Sequence, residues 1–138
     1  MTPTAPLRES LMLERLGMHC LRWNAGGAIP VVLLHGLAST ARIWELTAPH
    51  LAAAGYHVIA PDQRGHGLSA KPQEGFDFPH FRADLQALLK EFEAQHPVLV
   101  GHSWGAMVAL DFCVHFADTP LAPRALVLVD GALTSLRD

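Results

Sequence analysis

Residues 97–110 read PVLVGHSWGAMVAL: an apolar run, a serine between two glycines, and then a second apolar stretch. Pro97–Val100 is short and apolar and reads as a strand. From Trp104 to Phe116 the apolar residues continue without strand alternation, which predicts a helix. Gly101 and Gly105 would weaken a strand interior and have no purpose in a solvent loop. They make sense where strand turns into helix so sharply that side chains beside Ser103 would collide. The simplest reading of Ser103 is a helix N-cap. That reading explains the serine and leaves both glycines unexplained, whereas a strained strand–turn–helix elbow that lifts a nucleophile above the sheet explains all three.

Outward from this turn the chain alternates. Val31–Leu34 has the short, fully apolar character of a strand buried on both faces, and Ile43–Ala54 shows helical spacing with Ile43, Leu46, Leu51 and Ala54 on one side and Gly55 as the stop. Tyr56–Ala60 reads as a strand. Pro79–Glu93 is an amphipathic helix, with Phe81, Leu85, Leu88, Leu89 and Phe92 recurring at three- and four-residue intervals. Ala125–Val129 is a final strand. Upstream, Leu11–Leu16 and Met18–Trp23 around Gly17 predict a hairpin, and residues 1–9, with Pro3 and Pro6, a flexible tail. Residues 10–138 then form one α/β unit with a mainly parallel sheet and flanking helices.

Composition bounds the function. The chain has 138 residues, half of them hydrophobic and 17% charged, with net charge −3. That suits one globular domain. No basic block is present, which argues against nucleic acid and anionic membrane surfaces as partners. No apolar run reaches the roughly 18 residues of a membrane span. The N-terminus lacks a signal-peptide profile, so a cytoplasmic location is expected. The two cysteines, Cys20 and Cys113, lie in apolar segments and read as free thiols. Neither they nor the nine histidines show metal-ligand spacing, and no metal or organic cofactor is expected.

In an open α/β sheet, ligands bind beyond the carboxyl ends of the strands. HGLAST (35–40), PDQRGHGLS (61–69), GHSWG (101–105) and DGALTS (130–135) all fall at such ends. Taken together, VVLLHG, HVIAPDQRGHGLS, PVLVGHSWG and ALVLVDG resemble, in order and spacing, the first half of an α/β-hydrolase. The branch is the serine-nucleophile one that includes small esterases, C–C bond hydrolases and cofactor-free perhydrolases. The resemblance implies that Ser103 is the nucleophile and that the backbone N–H groups of Leu37 and Trp104 form an oxyanion hole. It implies a small-molecule acyl substrate and attack on an ester, thioester, lactone or activated C–C bond. His35 and His102 match residues that shape turns, and Arg64 and His66 residues that tie down a loop. GH-x-WG also occurs in relatives with an aspartate nucleophile, the epoxide hydrolases and haloalkane dehalogenases, but serine at 103 points away from that chemistry.

The resemblance places the triad histidine after later strands, and none remains after ALVLV. Asp130 stands where some relatives carry the acid and most carry a structural aspartate. ALVLV is apolar on both faces and expects a further neighbour. The expectation is therefore a hydrolase truncated after about the sixth strand, lacking its catalytic histidine and lid, and inactive as an isolated chain. The alternative is a non-catalytic α/β module that binds a small molecule or partner chain.

Overall fold

A computed structural model describes residues 7–131. The strands are β1 (Arg8–Leu13), β2 (Met18–Trp23), β3 (Ile29–Leu34), β4 (Tyr56–Pro61), β5 (Val98–His102) and β6 (Ala125–Val129). The helices are α1 (Ala48–Ala53), α2 (Phe78–Glu91) and α3 (Trp104–His115). One six-stranded sheet has the order β1-β2-β4-β3-β5-β6. The pairs β1–β2 and β2–β4 are antiparallel, and those from β4 through β3 and β5 to β6 are parallel. The mainly parallel α/β sheet expected from the sequence is present.

Successive residues of the central strands are buried on opposite faces. Val32 and Leu34 of β3 join Ile59, Leu99 and the inner faces of α2 and α3 in one core cluster. Val31 and Leu33 join Val58, Ala60, Trp44 and Ala48 in the other. This two-sided burial is why VVLL lacks polar alternation. Helix α2 buries Phe81, Leu85, Leu88 and Leu89, and Asp77 caps it by accepting from the His80 N–H at 3.1 Å.

Two expectations are corrected. The segment 43–54 is not one helix, and its predicted face is wrong. A 3-10 turn at Ala41–Trp44, capped by Thr40, precedes α1. Pro49 has no N–H to bond the Glu45 carbonyl, so a continuous α-helix cannot run through this stretch. Ile43 and Leu46 are exposed, while Ala41, Trp44, Ala48 and Ala52 are buried. Small alanines, not the large aliphatics, face the sheet. At the N-terminus, Arg8 and Glu9 belong to β1 rather than to a tail, while Glu14–Leu16 forms a 3-10 turn. Glu9 lies opposite Arg22, whose guanidinium donates to it at 2.8 and 3.2 Å. Residues 1–6 of the expected tail lie outside the described residues.

Among the described residues β6 pairs only with β5, and its Val127 and Val129 are 46% and 42% exposed. Apolar edges of this kind recruit other chains. The 138-residue chain is expected to self-associate in sedimentation experiments, and the double substitution Val127→Lys, Val129→Lys to shift it toward monomer. A wild-type chain that stays monomeric at high concentration would refute this.

Candidate active site

The chain runs from β3 to β4 on one side of the sheet's middle and from β4 to β5 on the other, so β3 and β5 flank the point where the direction of winding reverses. Loops leaving the carboxyl ends of two such strands diverge and leave a crevice. Leu34 pairs with Gly101, so the HG turn and the GHSWG turn emerge side by side. A Cβ built on Gly36 would lie 3.1 Å from Ser103 Cβ and 3.3 Å from the His102 carbonyl oxygen. The structure therefore brings the HG turn against the serine.

Ser103 is exposed at the N-terminus of α3 with φ 54° and ψ −117°, a backbone conformation costly for a residue with a Cβ. Its side chain makes no capping hydrogen bond, which removes the N-cap explanation. Its N–H donates to the Val129 carbonyl at 3.1 Å, so the end of β6 anchors the elbow and Asp130 follows directly. Both flanking glycines are required by space. A Cβ on Gly101 would meet the Gly105 carbonyl oxygen at 2.3 Å, and one on Gly105 the Leu34 carbonyl oxygen at 2.2 Å.

Leu37 is exposed on the HG turn, and Trp104 opens α3. Among the described residues neither N–H donates to a protein acceptor. The Trp104 indole stacks on Phe78 at 4.8 Å between ring centroids and meets Phe81 edge-on at 5.5 Å. This aromatic wall beside the elbow went unrecognised in the sequence, because Phe78 looked like a residue of the loop before α2. The Phe-Asp-Phe-Pro run, with Asp77 as cap, was the available signal.

Two of the three neighbouring histidines, His35 and His66, are already engaged. His35 is fully buried; its Nδ1–H donates to the Gly36 carbonyl at 2.7 Å and its Nε2 accepts from the Gln63 N–H at 2.9 Å. Burial lowers its pKa, so it stays neutral. His66 Nε2 accepts from the Ala38 N–H at 3.1 Å, and Nδ1–H donates to the Arg64 carbonyl at 2.9 Å. Arg64 makes a paired hydrogen bond with Asp84 at 2.7 and 2.9 Å. His102 lies beside the HG turn, its buried Nδ1 without a hydrogen-bond partner. Among the described residues no histidine is hydrogen-bonded to Ser103 Oγ. The DGALTS stretch is described only through Gly131, and residues 132–135 lie outside it.

Asp62 organises the loop after β4. Oδ1 accepts from the Ala41 N–H at 2.8 Å, and Oδ2 from the Leu68 N–H at 3.0 Å and His19 Nδ1–H at 2.8 Å. Burial alone would raise its pKa, but these donors outweigh it and hold the carboxyl below its ordinary value. A lowered folded-state pKa stabilises the fold above the unfolded-state value, and that stability is lost as pH falls through the folded-state value. The thermal midpoint is expected to drop below about pH 4, and Asp62→Asn to flatten that dependence while lowering the midpoint at neutral pH. An unchanged acid slope in the variant would contradict the assignment. Cys20 is fully buried, its thiol pushed up to about 12 by burial, and is chemically inert.

Among the described residues no helix is long and apolar enough to cross a membrane, and no group of three histidine, cysteine or acidic side chains could hold a metal ion. Comparison with known proteins agrees with the geometry. Residues 29–137 match the family model described as alpha/beta hydrolase fold. Epoxide hydrolase A of Mycobacterium tuberculosis is 45% identical over 124 residues, covering 88% of this chain and 38% of that protein. The crystal structure of epoxide hydrolase A from Mycobacterium thermoresistibile superposes with a TM-score of 0.73 at 34% identity, over 89% of this chain and 38% of that one. A thioesterase domain from the curacin biosynthetic pathway gives 0.73 at 29% identity, over 96% and 48%. The chain thus spans less than half the length of these relatives. Its strand order, its elbow and its match over residues 29–137 make it a member of the α/β-hydrolase fold family.

Proposed function

We propose that the protein is a serine hydrolase that cleaves an ester, thioester, lactone or activated C–C bond through an acyl-serine intermediate. The observation that carries this is Ser103: exposed, held at φ 54°, with Gly101 and Gly105, two residues away on either side, closed to any Cβ. A fold maintains such strain where it serves a purpose. Attack by Ser103 Oγ on a carbonyl places negative charge on its oxygen, and the Leu37 and Trp104 N–H groups are the donors for it.

The names of the epoxide hydrolase relatives favour a second reading, an epoxide substrate. Chemistry counts against it. Opening an epoxide with a serine oxygen would leave an ether on the enzyme, which water does not cleave, whereas an acyl-serine ester hydrolyses. The base for Ser103 is supplied from outside residues 7–131, since no histidine among the described residues is hydrogen-bonded to Ser103 Oγ. The acid is either Asp130 or a residue outside that range.

The test is labelling with a fluorophosphonate probe. In the complete protein, the expected result is stoichiometric modification of Ser103, turnover of 4-nitrophenyl acetate and no turnover of styrene oxide. In the 138-residue chain, Ser103 is expected to be labelled no faster than in the unfolded chain. Styrene oxide turnover without Ser103 labelling would overturn the acyl-serine reading. Rapid Ser103 labelling in the short chain would mean that one of its own histidines reaches the serine.

A further inference from the structure

A second serine–histidine–aspartate chain lies on the antiparallel side of the sheet and shares no residue with the elbow. Ser10 Oγ on β1 is 2.6 Å from His19 Nε2 on β2, and His19 Nδ1 is 2.8 Å from Asp62 Oδ2. The strand register accounts for the first contact. Ser10 pairs with Leu21, so His19 is its diagonal neighbour on the same face. The carboxylate accepts from Ala41 and Leu68 as well, so Asp62 is the acceptor and His19 Nδ1–H the donor. The Nε2 lone pair is then directed at the Ser10 hydroxyl. His19 and Asp62 are 7% and 3% exposed, while Ser10 is open to solvent.

A purely structural role accounts for only part of this. Tying β2 to the 62–69 loop explains the His19–Asp62 pair, and also Ser69, which bonds the His19 N–H at 2.9 Å and the Asp62 carbonyl at 2.6 Å. It does not call for an exposed hydroxyl on Nε2. Ser10 and His19 line an open cleft of about 480 Å³ that also includes Arg8 and Arg42. Both arginines bind the single carboxylate of Glu45, and with the Asp62 carboxylate, which also lines the cleft, the four charges balance.

We propose that Ser10 is a second nucleophile, with His19 as its base and Asp62 as the positioning residue, acting on small activated esters that enter this cleft. His19 Nε2 takes the hydroxyl proton as Oγ bonds to the carbonyl carbon. The tetrahedral intermediate collapses with cleavage of the carbon–oxygen bond, and the leaving alkoxide or phenolate takes the proton from His19. Water, deprotonated by His19, then attacks the Ser10 ester, releasing the acid and restoring the hydroxyl. Asp62 remains ionised throughout.

The test uses the 138-residue chain carrying Ser103→Ala, so its outcome is independent of the elbow serine. The chain is treated with 4-nitrophenyl acetate and, separately, with a fluorophosphonate, and the modified peptides are mapped. Ser10 is expected to be modified on the order of 10²-fold faster in the folded chain than in urea, the lower end of what a positioned base supplies. Adding Ser10→Ala is expected to remove both the modification and the remaining ester hydrolysis without moving the thermal midpoint, and His19→Gln to return the rate to the unfolded value. A Ser10 rate equal in folded and unfolded chain, or hydrolysis undiminished by Ser10→Ala, would overturn the proposal. The folded-to-unfolded comparison decides even where His19→Gln fails to fold.

Discussion

Ester hydrolysis at the elbow of the complete protein is expected to fall by on the order of 10⁶ in kcat when Ser103 becomes alanine, the loss seen when a triad nucleophile is removed from a serine protease. The thermal midpoint is expected to stay put. The Ser103 side chain is exposed and makes no capping bond, and alanine suffers the same strain at φ 54° as serine does. Loss of activity without loss of stability separates a nucleophile from a residue that merely shapes the turn. The readout is steady-state hydrolysis of 4-nitrophenyl acetate with Ser10→Ala in both proteins, so that only the elbow is read, together with a thermal melt of each variant. Activity retained within tenfold would remove Ser103 from the mechanism.

The second large effect is on folding. In Gly105→Ala the new methyl would stand 2.2 Å from the Leu34 carbonyl oxygen and 2.8 Å from that of His35. Both are backbone atoms of the strand end and HG turn against which α3 packs, so no rotamer change relieves the overlap. Overpacking against movable side chains costs about 1–3 kcal/mol, and an immovable neighbour puts Gly105→Ala at or above that upper figure. Against a total of about 5–15 kcal/mol this is a large share. It should appear as a fall of about 10 °C or more in thermal midpoint. Gly101→Ala is expected to behave alike, its methyl 2.3 Å from the Gly105 carbonyl oxygen. Gly26→Ala is the control, because an added methyl there meets nothing within 4 Å, and its midpoint should hold or rise slightly. Equal midpoints in all three variants would show that the elbow is less closely packed than described.

The elbow and the strands around it were legible in the sequence because their causes are local. Two glycines beside a serine at the end of VLV report a steric need that any tight strand–helix turn has. VVLL and VLV lack polar residues because they are buried on both faces wherever they sit in the sheet. The amphipathic spacing of α2 is likewise a property of one segment, and its buried face came out as Phe81, Leu85, Leu88 and Leu89. Arg8 and Glu9 could not be placed by local reasoning, since their strand exists through pairing with β2 and the Glu9–Arg22 ion pair. The face of segment 41–54 was misread for a related reason. Large aliphatics normally mark the buried side, but here Ala41, Ala48 and Ala52 lie against the sheet with Trp44 while Leu46 points to solvent. What only the tertiary structure decided was proximity between distant residues. Leu34 beside Gly101 sets the HG turn against Ser103. The winding of the sheet brings Ser10, His19 and Asp62 into one hydrogen-bonded chain, though no spacing in the sequence relates them. Side-chain periodicity records which face of an element is buried, and it carries no information about which other element meets that face.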